Sequence, residues 1–161
     1  MRSTLDKLDL KLLACLQENN LQTADTLAER VGRSPSAVAR RLRRLRSNGA
    51  VAADVAVVSE DAAAHPLFAL VQIQLERHAP QAADLVRRRL VASPNVQLCL
   101  DVSGTFDIVL LVVARDMDSY NAFAGSLLEE EAAVRRFETS FVKRRVKATL
   151  ALPLQELARG R

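Results

Sequence analysis

Arg33-Ser34-Pro35-Ser36-Ala37-Val38-Ala39-Arg40-Arg41-Leu42-Arg43-Arg44-Leu45-Arg46-Ser47-Asn48-Gly49 is a helix written with its own start and stop signals. Ser34 has the short hydroxyl side chain that caps the free amides of a first turn. Pro35 suits the first helical position, where no amide hydrogen is needed, and Gly49 ends the run. At 100° per residue, Val38, Leu42 and Leu45 fall within about 60° of one another. Ser36, Ala37, Arg40, Arg43 and Arg44 take the opposite side, with Arg41 and Arg46 on the flanks. One side of this helix is made for a core and the other carries guanidinium groups.

The residues before it complete a unit. Leu5, Leu8, Leu12, Leu13 and Leu16 recur at helical spacing up to Asn19-Asn20, which predicts a first helix over 5–18, with Asp6 and Asp9 near its start where carboxylates suit the dipole. A second helix is predicted over 23–31, with Ala24, Leu27, Ala28 and Val31 inward, broken by Gly32. Two short helices joined by a tight glycine turn, the second opening with small residues and continuing with basic ones, match the helix-turn-helix that enters the major groove of DNA. Ser36 and Ala37 are small enough for close approach to base edges. The arginines either fork onto guanine or clamp phosphate.

Charge supports this reading. Arg30 to Ala53 holds seven arginines and no acidic residue, a local charge of +7; the net charge of the whole chain is +4, which leaves the remainder at −3. Each arginine that neutralises a phosphate releases condensed counterions, and a one-signed surface of this kind suits a polyanion. The bland alternative, a solvated helix face, usually mixes signs. With 49% apolar and 26% charged residues among 161, the chain has ordinary globular composition. No apolar run is long enough to span a bilayer, and the first residues are amphipathic and partly acidic, unlike a signal peptide; a cytoplasmic, nucleoid-associated protein without membrane partners is expected. Cys15 and Cys99 lie far apart in apolar surroundings and read as small core residues. No metal-ligand spacing, nucleotide fingerprint or catalytic constellation is present, so neither a cofactor nor a catalytic residue is assigned.

Beyond Gly49, the stretch Ala50 to Val58 is β-compatible and reads as a wing or connecting strand. Ser59 to Pro66, SEDAAAHP, reads as a hinge. A strand is predicted over 67–75 and an amphipathic helix over 81–92 with Ala82, Leu85, Val86 and Leu90 inward. Strands over 96–102 and 108–114 follow. A helix over 119–128 carries Tyr120, Phe123, Ala124, Leu127 and Leu128 toward the core, and a long last strand runs from Val134 to about Leu152. The order βαββαβ is the ferredoxin-like split unit. Helices on one face of its sheet leave the other face apolar and uncovered, and a second subunit is the economical cover.

Four motifs in order carry a family resemblance: Leu5-Asp6-Lys7-Leu8-Asp9; Leu27-Ala28-Glu29-Arg30-Val31-Gly32-Arg33-Ser34-Pro35-Ser36; Arg41-Leu42-Arg43-Arg44-Leu45; and Ser103-Gly104-Thr105-Phe106-Asp107. Together they resemble the Lrp/AsnC family of feast/famine regulators over nearly the whole chain. The resemblance implies an α+β chain: an N-terminal winged helix-turn-helix over 1–52, a linker over 53–66, and a ferredoxin-like effector-binding and oligomerisation domain over 67–161. It implies a homodimer that assembles to a tetramer or octamer, double-stranded DNA as partner, and an amino acid as effector. The DNA-contacting set is then Arg33, Ser34, Ser36, Ala37, Arg40, Arg41, Arg43 and Arg44. The effector set is Ser103, Gly104, Thr105, Phe106 and Asp107 with Thr139 on the last strand. Glycine admits close backbone approach, backbone amides can take a carboxylate, and Asp107 can accept bonds from an ammonium group. A plain hairpin in which Asp107 ties the turn is the alternative. The sequence departs from the family pattern at Thr105, Ile108 and Phe137, each of which makes the expected pocket more apolar.

Two other functions fit the same architecture. One is an effector-independent protein that wraps DNA with little sequence preference, separated from a regulator only by its specificity ratio. The other is a tetrapyrrole decarboxylase-like enzyme, which needs histidines and arginines around a large anionic ring; His65 lies in the hinge and His78 in a loop, and both read as solvated. Arg87-Arg88-Arg89, Lys143-Arg144-Arg145-Lys147 and Glu129-Glu130-Glu131 read as solvated charge runs.

Overall fold

The computed structural model of the chain describes residues 5–76, 80–129, 131–154 and 156. His78 and Glu130 lie outside the described residues. The chain divides into two compact units, one of Met1–Val57 with Lys147–Arg161 and one of Val58–Val146.

The first unit holds helices α1 (Lys7–Glu18), α2 (Ala24–Val31) and α3 (Pro35–Ser47). Asp6 caps α1 and forms a reciprocal capping box with Asp9, each side chain accepting from the other's backbone amide. That fixes the helix start two residues later than the apolar spacing alone suggests. Thr23 caps α2, and Gly32 closes it in the left-handed conformation at φ 64°. Leu12, Leu13, Cys15, Leu16, Leu27, Ala28, Val38, Leu42 and Leu45 form one core, with Ala24, Val31, Val51 and Leu154 packed against it.

Ala50 to Val58 forms no strand. Its Val55, Val57 and Val58 are exposed, and among the described residues of the first unit no strand offers it the hydrogen-bonding ladder that a strand requires. Ser59 to Pro66 is also more ordered than a bare hinge. It winds one helical turn, His65 N–H donating to Glu60 C=O at 2.9 Å, with Ala64 and His65 at positive φ. The Arg145 guanidinium binds Glu60 and lies 4.3 Å from the centroid of the Phe68 ring. His65 is exposed, its Nε2 3.5 Å from Asp61 Oδ1.

The second unit contains β1 (Leu67–Leu75), α4 (Pro80–Ala92), β2 (Val96–Asp101), β3 (Ile108–Ala114), α5 (Met117–Ala124), continued by a π-helical turn at Gly125–Glu129, and β4 (Val134–Phe141). The sheet is antiparallel in the order β2-β3-β1-β4, as the βαββαβ reading expects. Ala69, Val71, Ile73, Ile108, Leu110 and Val112 point to the helices and join Val86, Leu90, Tyr120, Phe123 and Leu128 in the core.

Three elements differ from the sequence expectation. The last strand stops at Phe141 rather than near Leu152: Phe141 pairs with Ala69, Val142 N–H makes one further bond to Phe68 C=O at 2.9 Å, and β1 itself begins at Leu67, so the ladder has almost no partner left. The chain beyond Val146 groups with the first unit instead of the second, held there by Gln17 and Leu154. Leu85 is turned outward, since the buried stripe of α4 is Ala83, Val86 and Leu90 and Leu85 lies roughly opposite it on the wheel. On the sheet face away from the helices, Leu70, Leu98 and Leu100 are exposed and alternate with the core residues of their strands.

Candidate nucleic-acid interface

The turn between α2 and α3 is built as its residues require. Gly32 N–H donates to Ala28 C=O, and Arg33 N–H to the same carbonyl at 3.1 Å, so the left-handed glycine satisfies the end of α2. Ser34 Oγ accepts from Ala37 N–H, and Pro35 opens α3. The reversal is thus fixed on both sides, with Val38, Leu42 and Leu45 buried beneath it.

Arg33, Ser36, Arg40 and Arg43 are exposed. Ser36, Arg40 and Arg43 share one row of α3, within about 60° of one another. Ser34 is also exposed, but its hydroxyl oxygen is engaged in the cap, and Ala37 is half-buried. Among the described residues none of Arg33, Arg40 and Arg43 has a carboxylate partner.

The other arginines of the cluster are paired, and their acids lie outside the stretch 30–53. Arg30 binds Glu18 at 2.8 Å, and Arg46 binds Asp54 at 2.8 Å. Arg41 binds Asp6 at 2.6 Å and Asp9 at 2.8 Å, while Arg44 Nη2 reaches both oxygens of Asp9 at 2.6 Å. Four of the seven charges are therefore neutralised within the chain. Arg41 and Arg44, expected on the DNA face, also reach across to α1, because the flank of α3 that carries them packs beside the buried carboxylate of Asp9; Arg44 stays exposed and Arg41 half-buried. Asp6 is held below the usual carboxylate range by the Asp9 backbone amide and by Arg41, and Arg41 is raised by its bonds to Asp6 and then Asp9.

Asp9 is the residue that the charge argument overlooked as part of the interface. Among the described residues it is the one charged side chain that is buried, 1% exposed. The signal was present in the sequence: Asp9, Leu12, Leu13 and Leu16 occupy one helical stripe, and an acid on an apolar stripe needs a cation partner.

The expected effector residues lie in the second unit. Ser103, Gly104 and Thr105 are exposed in the turn between β2 and β3, with Gly104 at φ 145°, a conformation that favours glycine. Phe106 has the Arg136 guanidinium 5.3 Å from its centroid. Asp107 Oδ2 accepts from Leu75 N–H at 2.8 Å, where the β1–β4 register shifts between Gln74 and Leu75. One carboxylate oxygen thus ties the turn. Thr139 sits opposite Val71, and its hydroxyl is hydrogen-bonded to Tyr120. Ile108 is fully buried and Phe137 packs against the core, so these two departures from the family pattern serve the fold of this chain.

Comparison with known proteins bears on both units. Residues 68–152 match the family model of the Lrp/AsnC ligand binding domain, and residues 5–52 match a winged helix-turn-helix DNA-binding model. The chain belongs to the Lrp/AsnC family. An HTH-type transcriptional regulator of Sinorhizobium fredii is 38% identical over 94% of this chain and 89% of its own length. The leucine-responsive regulatory protein of Haemophilus influenzae is 31% identical over 94% of this chain and 91% of its own. Among solved structures, a Neisseria meningitidis transcriptional regulator in complex with L-methionine superposes with a TM-score of 0.88 at 33% identity, covering 96% of this chain and 99% of that one. The helix-turn-helix and the antiparallel sheet described above are thus the two parts of an Lrp/AsnC regulator. Among the described residues, no helix is long and apolar enough to cross a membrane.

Proposed function

We propose that the chain is a sequence-specific DNA-binding transcriptional regulator of the Lrp/AsnC type, with the exposed row of α3 as its reading surface. Ser36, Arg40 and Arg43, with Arg33 at the turn and Ala37 allowing close approach, contact DNA. The observation that carries this reading is that, among the described residues, Arg40 and Arg43 have no carboxylate partner on a helix whose opposite side is buried. Ser34 starts the helix and does not reach for bases. The DNA-reading part spans 1–52, and the strands and helices from Leu67 onward form the effector and assembly part.

Self-association completes the device. The sheet face bearing Leu70, Leu98 and Leu100 and the unpaired segment with Val55, Val57 and Val58 are apolar surfaces of the kind that a second copy covers. A dimer places two copies of α3 about one DNA turn apart and makes the operator a near-palindrome. Higher assembly, to a tetramer or octamer, bends or wraps the DNA.

An amino acid with an apolar side chain is the proposed effector, by analogy with the L-methionine complex of the Neisseria relative. Its site is the Ser103-to-Asp107 turn with Thr139, where backbone amides take the carboxylate and the second oxygen of Asp107 takes the ammonium. The protein acts at the nucleoid, in the cytoplasm. Genomic footprinting with and without an amino-acid mixture tests the whole reading: discrete near-palindromic sites whose occupancy responds to the mixture are expected. Uniform coverage without preferred sites would favour the wrapping protein, and sites indifferent to the mixture would remove the effector.

A further inference from the structure

Asp9 spends its acceptor capacity in the interior of the first unit. Its oxygens take Arg44 Nη2 twice at 2.6 Å, Arg41 Nη1 at 2.8 Å and the Asp6 backbone amide at 3.1 Å. A buried carboxylate held by partly exposed arginines is a poor device for stability, because an apolar residue of similar volume often does as well. What this one achieves is a selection among guanidinium groups. Of the five arginines on α3, two are bound to Asp9 and a third, Arg46, is bound to Asp54 and Asn20. Arg40 and Arg43 remain, in one row with Ser36.

The selection matters because phosphate contacts are blind to sequence. Each adds to affinity for every duplex, while specificity comes from base edges. A helix offering five guanidiniums would bind any DNA tightly and discriminate little. Moving Arg44 to a phosphate would leave a buried carboxylate with one partner fewer, which costs more than an exposed contact returns.

We propose that Asp9 sets the ratio of specific to non-specific DNA affinity by withholding the Arg44 guanidinium and, jointly with Asp6, that of Arg41 from the phosphates, so that Arg33, Arg40 and Arg43 carry the charge that the domain presents to DNA. This rests on the reading of α3 as the DNA-contacting helix. Asp9 touches no DNA and acts as a positioning residue through the two arginines that it holds.

The test is the salt dependence of binding to a random-sequence duplex, measured by fluorescence anisotropy between about 50 and 200 mM salt with the full chain. Arg40→Gln and Arg43→Gln should each lower the slope of log affinity against log salt by about 0.9 per DNA-bound domain. Arg44→Gln should leave it unchanged. Asp9→Asn should steepen it by about 0.9, the Arg44 contact, because Asp6 still holds Arg41 at 2.6 Å; it should also raise non-specific affinity severalfold and reduce discrimination in favour of a footprinted site. A purely structural Asp9 would alter the fold and not the slope, so helicity and unfolding midpoint are recorded on the same samples. Should Asp9→Asn fail to fold, Arg44→Gln decides alone, because it leaves Asp9 paired with Arg41. An Arg44→Gln slope lowered as far as that of Arg40→Gln, or a folded Asp9→Asn protein without steepening, overturns the inference. Failure of the unaltered chain to bind any duplex sinks the DNA-binding reading itself.

Discussion

Arg44 places Nη2 at 2.6 Å from each carboxylate oxygen of Asp9, a residue 35 positions earlier in the chain. The pair joins the flank of α3 to the inner face of α1. It divides the arginine-rich helix into a held set, Arg41 and Arg44, and a presented set, Arg40 and Arg43. A density of charge that is uniform along the sequence is therefore uneven in space.

The pair also makes a stability prediction. Removing both guanidiniums with Arg41→Ala and Arg44→Ala leaves a buried carboxylate without a cation partner, and should lower stability. Adding Asp9→Leu to that double variant removes the stranded charge and should recover most of the loss. Urea unfolding of the three proteins measures both steps; a triple variant no more stable than the double one would mean that the ion cluster is not the source of the loss.

The tail after Val146 is predicted to stabilise the DNA-reading unit. Gln17 Nε2 donates to Leu152 C=O at 3.0 Å, its Oε1 accepts from Leu152 N–H at 2.7 Å, and Leu154 packs against the core of α1 to α3. Gln17→Ala breaks both bonds and should cost about 1 kcal/mol, at the low end for two exposed hydrogen bonds. Hydrogen exchange should show faster opening of the α1 amides in that variant, with the strands of the second unit unaffected.

Asp116 caps α5, accepting from both the amide and the hydroxyl of Ser119 at 2.8 and 2.7 Å. These bonds, with Arg115, lower its pKa from 3.8 to about 2. The ionised form is favoured by folding, so its contribution is complete above the unfolded value, about 3.9, and is lost as pH falls toward 2. Asp116→Asn should therefore flatten the acid limb of the stability profile between about pH 4 and 2. Thermal unfolding across that range reads the difference, and an unchanged limb would show that the cap does not contribute.

At Asp107 the fold and the proposed effector site can be separated. Asp107→Ala deprives Leu75 N–H of its acceptor at the β-bulge and should cost about 1 to 3 kcal/mol. Asp107→Asn keeps an acceptor and the fold but loses the charge that an ammonium group needs. Calorimetric titration with L-methionine should show weakened binding in the Asn variant at unchanged unfolding midpoint; equal affinity would remove Asp107 from the effector site.

Local signals made most of the fold legible. Ser34-Pro35 at the start of α3 and the apolar runs of Leu67 to Leu75 and of Ile108 to Ala114 are statements of neighbouring residues, and the elements formed where those residues placed them. The expectations that failed depend on partners distant in the chain. Nothing near Phe141 tells that β1 has run out of ladder, and nothing near Arg44 tells that its acid lies on α1. Leu85 shows a subtler limit: an apolar residue next to Val86 in the sequence looks like part of the buried stripe until the packing partner shows that the stripe runs through Ala83, Val86 and Leu90. The α3 face was half legible for the same reason, its buried side from spacing and its presented side only once Asp9 had claimed two arginines.

Dimethyl-sulfate footprinting of an operator recovered by genomic footprinting tests most directly whether α3 reads DNA. If α3 enters the major groove through Arg40 and Arg43, the chain should protect guanine N7 in two tracts about 10 base pairs apart, and Arg40→Ala with Arg43→Ala should lift that protection. Guanine N7 left fully reactive under saturating protein, or protection that survives the double substitution, would contradict it.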